Sequence, residues 1–217
     1  MRFIFEQIRT GGDRNFAYLV GDRDAAEGVL IDPSYDPDAV VERSRAQGLA
    51  TTHVINTHGH PDHVNGNERA LELTGARLAA YREAESRPEV ALDDGDELKV
   101  GSITMRFLHT PGHCPDHLVI HLPGQSTAIT GDLLFVGKIG GTASEELALL
   151  EYESLQRVLR ELPPETTVWP GHDYGCRPSS TIDLELATNP FLLAGSREEF
   201  LRLKSDWGEF KVRHGLK

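Results

Sequence analysis

Apolar residues along the chain come in short runs that stop at glycine or proline. Phe3-Ile4-Phe5, Phe16 to Val20, Gly28 to Ile31 and Thr52 to Asn56 are short, rich in β-branched and aromatic residues and bounded by turn signals, so they predict strands. Ile103 to Leu108, Leu118 to Leu122, Thr127 to Thr130 and Thr167 to Trp169 read the same way, and Arg77 to Tyr81 reads as a strand running into a helix start. Longer amphipathic stretches alternate with them. Asp36-Pro37-Asp38 has the chemistry of a helix start and leads to a helix ending near Gly48. Helices are also expected over Asn67 to Leu73, Leu147 to Leu162 and Pro178 to Thr188, with one or two polar helices in a tail from about 190 to 217. Asp93-Asp94-Gly95-Asp96 is expected to be a solvated acidic turn. The part up to about residue 100 and the part after it share one scheme, strands followed by helices. This predicts an α/β fold in four layers, two mixed sheets between two outer layers of helix, in one domain over residues 1–217.

Composition narrows the class. No apolar run approaches the ~20 residues that span a bilayer, and Phe3 to Phe5 is soon broken by Glu6, Gln7 and Arg9. Neither a transmembrane helix, a membrane partner nor a secretory signal is therefore expected. Two cysteines, Cys114 and Cys176, are too few for a disulfide scaffold, which makes a reducing cytoplasm the expected compartment. The formal net charge of −12 disfavours nucleic acid, whose phosphates need Lys and Arg. Charge says little else, and the oligomeric state, monomer or dimer, stays open.

Histidine changes the picture most. Eight of the ten histidines lie between positions 53 and 121. Four polar clusters, His58-x-His60-x-Asp62-His63, His113, Asp132 and His172, each follow a strand-like run that ends in a tight Gly/Pro turn, where a rigid scaffold presents functional groups. Residues i and i+2 of an extended segment face the same side, so His58 and His60 can share a pocket, while Asp62 and His63 follow Pro61 into a helix start. Imidazole with carboxylate suits Zn²⁺, Mn²⁺ or Fe²⁺. Seven such donors exceed one four-coordinate zinc and suit two ions sharing a carboxylate and a water. Thr-Pro-Gly-His at His113 is echoed by Pro170-Gly171-His172. Cys114 and Cys176 are expected to be small, partly buried thiols. His109, His117 and His121 are expected on a polar face or behind the donors, with His53 and His214 ordinary. Lys138 is expected to be solvated, Tyr174 is expected to line the pocket or to pack, and Trp169 and Trp207 are expected in the core or under the tail.

The set Thr57-His58-Gly59-His60-Pro61-Asp62-His63 with His113, Asp132 and His172 resembles the metallo-β-lactamase-fold hydrolases, and within them the glyoxalase II-like branch and the neighbouring persulfide dioxygenases. Pro170-Gly171-His172-Asp173-Tyr174 and Asn189-Pro190-Phe191 are similar to that branch. The resemblance implies a first metal on His58, His60 and His113, a second on Asp62, His63 and His172, and a bridging Asp132. It makes His58, Asp62 and Asp132 the expected catalytic residues and gives Asp32 a place behind the ligands. Two divalent ions are implied, zinc first, with iron and manganese as alternatives. The implied activity is hydrolysis of a thioester such as a hydroxyacylglutathione; a single-iron persulfide dioxygenase using His58, His113 and Asp132, or a lactonase, are the alternatives. Two departures touch glutathione recognition. The long helical C-terminal extension of classical glyoxalase II is reduced to a short tail after Asn189, and Gly137-Lys138-Ile139-Gly140-Gly141-Thr142 replaces the Gly-Arg-Thr-Asp-Phe text common in short relatives.

Overall fold

Alternation along the second strand sets up the architecture. In the computed structural model, which describes residues 2–215, Phe16, Tyr18 and Val20 point between two sheets, while Ala17 and Leu19 point to the outside. The period of two places successive side chains on opposite faces, and here both faces are covered. The first sheet holds β1 (Phe3–Gly11), β2 (Asn15–Asp22), β3 (Glu27–Ile31), β4 (Ala50–Ile55), β5 (Arg77–Tyr81) and β6 (Val90–Leu92), in that spatial order. β1 and β2, and β2 and β3, pair antiparallel, and the strands from β3 to β6 run parallel. The second sheet comprises β7 (Glu97–Val100), β8 (Ile103–His109), β9 (Leu118–Leu122), β10 (Thr127–Gly131), β13 (Thr167–Pro170) and β14 (Ser180–Thr181), with β10 and β13 parallel; β11 (Leu134–Phe135) and β12 (Lys138–Ile139) form a separate small hairpin.

Three apolar clusters glue the layers. Tyr18, Ile31, Ile55, Met105, Phe107 and Ile120 fill the space between the sheets. Leu30 and Val54 meet Val40, Val41 and Ala70 of α1 (Pro37–Ala46) and α3 (Asn67–Thr74) on one outside face. On the other, Val119 and Val168 meet Leu155, Val158, Ile182 and Phe200 of α4 (Glu145–Glu161), α5 (Ile182–Thr188) and α6 (Arg197–Ser205). The short α2 (Pro61–Val64) and the terminal α7 (Trp207–His214) complete the chain. This is the expected αββα sandwich, and among the described residues no helix is long and apolar enough to cross a membrane.

Local chemistry explains the helix starts. Asp36 Oδ1 accepts from Ala39 N at 3.2 Å with Pro37 at the first helical position, and Ser144 Oγ accepts from Leu147 N at 3.2 Å to start α4. Removing that cap in Ser144→Ala is expected to lower stability by about 1 kcal/mol, read as a lower denaturant midpoint with unchanged slope.

Several elements differ from expectation. β6 and β7 carry no clear strand signal in the sequence. Tyr81 ends its strand in a turn and starts no helix. Ser180 and Thr181 pair with β13 before α5 begins, so that helix starts later than the run from Pro178 suggests. Asp94, in the acidic turn, accepts from His109 N at 2.8 Å and from Arg157 at 2.8 Å, so the turn is tied down.

Candidate metal centre

All four polar clusters lie beyond strand C-termini on one edge of the sandwich. β4 feeds the loop of His58 and His60 and then α2, which carries Asp62 and His63. β8 leads to His113, β10 to Asp132 and β13 to His172. The seven donors converge. His58 Nε2 lies 3.0 Å from His60 Nδ1, and His113 Nε2 lies 2.9 Å from the same atom. His63 Nε2 and His172 Nε2 are 3.2 Å apart, and Asp62 Oδ2 is 3.4 Å from His172 Nε2. Asp132 stands between the two groups: its Oδ2 is 3.5 Å from His113 Nε2 and 3.2 Å from His172 Nε2, and its Oδ1 is 3.4 Å from His63 Nε2. Two ligands at zinc–nitrogen distance are about 3.3 Å apart at the edge of a tetrahedron, so these spacings are those of coordination polyhedra.

The outer ring nitrogens fix the tautomers. Asp32 accepts from Thr57 Oγ1 at 2.6 Å, and Thr57 Oγ1 in turn accepts from His58 Nδ1 at 3.1 Å. His63 Nδ1 donates to Asp32 at 2.9 Å, His113 Nδ1 to the Gly141 carbonyl at 2.7 Å and His172 Nδ1 to the Asp13 carbonyl at 2.9 Å. Metal-ligating histidines are usually held in this way, and four Nε2 lone pairs are thereby turned inward. Asp32 takes φ 48° at the end of β3, a left-handed conformation that Asp tolerates better than most residues. That turn is what lets one carboxylate serve Thr57 and His63 together.

The electrostatics call for a cation. Burial, with the nearby imidazoles of His63, His117 and His113, pushes His58 well below the usual imidazole value. Burial lowers His113 as well, against Asp132. Burial would also lower His63, but Asp132, Asp32 and Asp62 outweigh it and raise it to about 9. Burial would keep Asp132 protonated, yet His63, His172 and His113 hold its carboxyl far below the usual carboxylate range. Asp132 Oδ1 is buried without a hydrogen-bond partner. A Cβ at Gly171 would stand 2.3 Å from that oxygen, so only glycine leaves the carboxylate its place. Inward lone pairs around an orphaned carboxylate oxygen fit divalent metal ions, and the donors group as His58-His60-His113, His58-His63-Asp132 and Asp62-His63-His172.

Sequence reading missed one partner. Asn15 is buried beside His172, and its Nδ2 donates to the Asp62 carbonyl at 3.0 Å and to Asp62 Oδ2 at 3.1 Å. A lone Asn after a Gly-Gly turn carries no signal of this. Asn15→Leu keeps the bulk and removes both bonds; a roughly tenfold weaker uptake of one metal ion is expected in a chelator-competition titration. His117 stands behind the donors, one of the two places expected of it: it is fully buried with its Nε2 accepting from Asp132 N at 3.1 Å, and burial pushes it to about 3. Cys114 is half-buried and burial pushes its thiol up to about 12, whereas Cys176 is exposed, contrary to expectation; both are free. Lys138 is not simply solvated: its Nζ lies 3.9 Å from the centroid of the Tyr174 ring. Tyr174 stacks on His172 at 4.6 Å, so it lines the centre. His53 is buried with its Nε2 3.0 Å from Arg77, and Trp169 and Trp207 pack in the clusters expected of them.

Comparison with known proteins agrees with this geometry. The profile of the metallo-beta-lactamase superfamily matches residues 10–172, a span that contains all seven donors. The mitochondrial persulfide dioxygenase ETHE1 of Homo sapiens is 32% identical over 209 residues, covering 94% of this chain and 79% of that protein. A hydroxyacylglutathione hydrolase of Polaromonas sp. is 35% identical over 177 residues, covering 79% of this chain and 67% of that protein. The crystal structure of ETHE1 from Myxococcus xanthus superposes with a TM-score of 0.87 at 35% identity, covering 94% of this chain and 91% of the other. With the sandwich, the strand-end donors and these matches in agreement, the chain belongs to the metallo-beta-lactamase superfamily.

Proposed function

We propose that the chain is a binuclear metal-dependent hydrolase of a small anionic thioester, of the kind hydroxyacylglutathione represents. The observation that carries this reading is the second donor group. Asp62, His63 and His172 converge as closely as His58, His60 and His113, and each is separately anchored, by Asn15, Asp32 and the Asp13 carbonyl. Such anchoring suits a centre in which this group holds an ion of its own. Bound divalent ions there would supply a water nucleophile at neutral pH and polarise a carbonyl. His58, His60 and His113 would hold the first ion, Asp62, His63 and His172 the second, and Asp132 both. Asp62 is the most open of the donor carboxylates, with 34% of its side chain exposed. It is placed to accept a hydrogen bond from the attacking water and set its direction while Asn15 steadies its other contacts. A thiolate leaves without needing a proton, because a thiol pKa is near 8.5.

A cavity of about 480 Å³ opens beside the centre, lined by Phe135, Lys138, Gly141, Tyr174, Phe191 and Trp207. Lys138 lines this cavity, and both Lys138 and Arg14 approach the Tyr174 ring, Arg14 at 4.7 Å, so two cations gather around that ring in a chain of net charge −12. They suit a substrate carboxylate, a fit that with the hydroxyacylglutathione hydrolase match supports the hydrolase reading, to which zinc as the metal and the cytoplasm as the compartment belong as proposals.

A second reading, a single-iron persulfide dioxygenase, is favoured by one observation: the persulfide dioxygenase match runs over 94% of the chain, more than the hydrolase match covers. His58, His113 and Asp132 would then form its two-His, one-carboxylate triad. Metal analysis of protein purified without added metal separates the two. Two ions per chain with turnover of a hydroxyacylglutathione supports the hydrolase; one iron per chain with oxygen uptake on glutathione persulfide overturns it.

A further inference from the structure

A buried charge pair lies behind the centre. Glu151, midway along α4, has no exposed surface, and Lys204 of α6 reaches in to pair with it. Lys204 Nζ also donates to the Gly140 carbonyl at 2.9 Å. Burial pushes the Glu151 carboxyl up to about 8 although the lysine pulls it down, and its Oε1 is buried without a partner. A pair this deep is a poor source of stability, because losing water offsets most of what the charges gain from each other. Its neighbours suggest another use.

Two segments cradle His113. One is the stretch Thr110 to Gly112, which lies directly on α4: a Cβ at Gly112 would meet Glu151 Cβ at 2.4 Å, and Ser154 Oγ donates to the Pro111 carbonyl at 2.7 Å. The other is Gly140-Gly141, whose second carbonyl accepts from His113 Nδ1. A Cβ at Gly140 would stand 2.8 Å from His113 Nδ1 and 2.1 Å from the Asp132 carbonyl oxygen, so the segment must be glycine to come this close. Glycine backbone is also the most free to rotate, and Lys204 grips the Gly140 carbonyl of that pair.

We propose that Lys204, held in place by Glu151, is a positioning residue for His113: it fixes the Gly140-Gly141 backbone that orients the His113 ring, so the C-terminal helix α6 completes the metal centre. This rests on His113 being a metal ligand, which both functional readings share. The test compares wild type, Lys204→Met, Lys204→Met with Glu151→Gln, and Lys204→Arg. Each is stripped of metal and titrated with Zn²⁺ against a chromophoric chelator, with melting temperature read alongside. The double variant leaves no buried charge and is expected to fold. Its Zn²⁺ affinity is expected to weaken about tenfold at the step that uses His113, with kcat falling to match, and Lys204→Arg is expected to recover most of both. If the double variant unfolds, Lys204→Met alone carries the same expectation, since a carboxyl with a pKa near 8 can sit there protonated. A folded variant binding Zn²⁺ within twofold of wild type overturns the inference. Wild type that takes up no Zn²⁺ sinks the metal reading itself, which is a different result from wild type and variant binding alike.

Discussion

Asp132→Ala is expected to lower kcat/KM by about 10³-fold and to reduce metal content at the same time. Its Oδ2 faces one imidazole from each donor group, His113 at 3.5 Å and His172 at 3.2 Å, and its Oδ1 faces His63 at 3.4 Å. Of the two donor carboxylates only Asp132 faces imidazoles of both groups, Asp62 lying against His63 and His172 alone, so loss of Asp132 removes the shared charge and leaves five imidazoles with Asp62. The backbone there is held independently, because Asp132 N donates to His117 Nε2. The variant should therefore keep the wild-type circular dichroism spectrum. Asp132→Asn preserves shape and removes charge, and its activity should fall almost as far, since the requirement is for a carboxylate. Turnover within threefold of wild type in a folded Asp132→Ala protein would remove the centre from the mechanism.

The donors were legible in the sequence because chemistry and spacing coincide in them. His58, His60, Asp62 and His63 sit within one short stretch, and His113 and His172 each follow a Pro-Gly turn. The residues that hold those donors were mostly not legible. Asp13 and Gly141 act through backbone carbonyls, which any residue supplies. Glu151 reads as one more polar position of an amphipathic helix, and its burial depends on where Lys204 arrives from the far end of the chain. Asn15 meets Asp62 only after β1 and β2 have been laid beside β13. The sandwich itself was readable because the alternation in Phe16 to Val20 and in Leu118 to Leu122 is clean. β7 was not, since Glu97-Leu98-Lys99-Val100 buries only Val100 fully. A strand of that kind is specified by its partner β8 more than by its own composition.

Metal uptake is expected to tighten by roughly 100-fold between pH 6.5 and pH 8.5, which is the second large effect. In the metal-free chain His63 is raised to about 9, since Asp132, Asp32 and Asp62 overcome the burial that lowers it. Its Nδ1 proton is committed to Asp32, so the proton an ion must displace is the one on Nε2. His172 is shifted upward too, and its Nε2 lies 3.2 Å from that of His63, so one proton between the two rings serves both and the pair gives it up as a unit. Below about pH 9 the proton-free fraction rises tenfold per pH unit, and apparent affinity follows it. Metal-free stability runs the other way. A base whose folded pKa exceeds its unfolded value of 6.5 stabilises the fold fully below pH 6.5, and that stabilisation, about 3 kcal/mol here, is lost as pH rises through 9. His58 and His113, lowered by burial, act in the opposite sense, favouring the fold as their unfolded counterparts lose protons near pH 6.5, a smaller effect over this window than the loss at His63. Stripped protein should therefore melt at lower temperature at pH 8.5 than at pH 6.5 while binding Zn²⁺ more tightly, with about one proton released per chain in unbuffered solution as the ion at His63 and His172 enters. A Zn²⁺ affinity that does not change across this range would mean that His63 carries no displaceable proton, and that its ring does not face an ion.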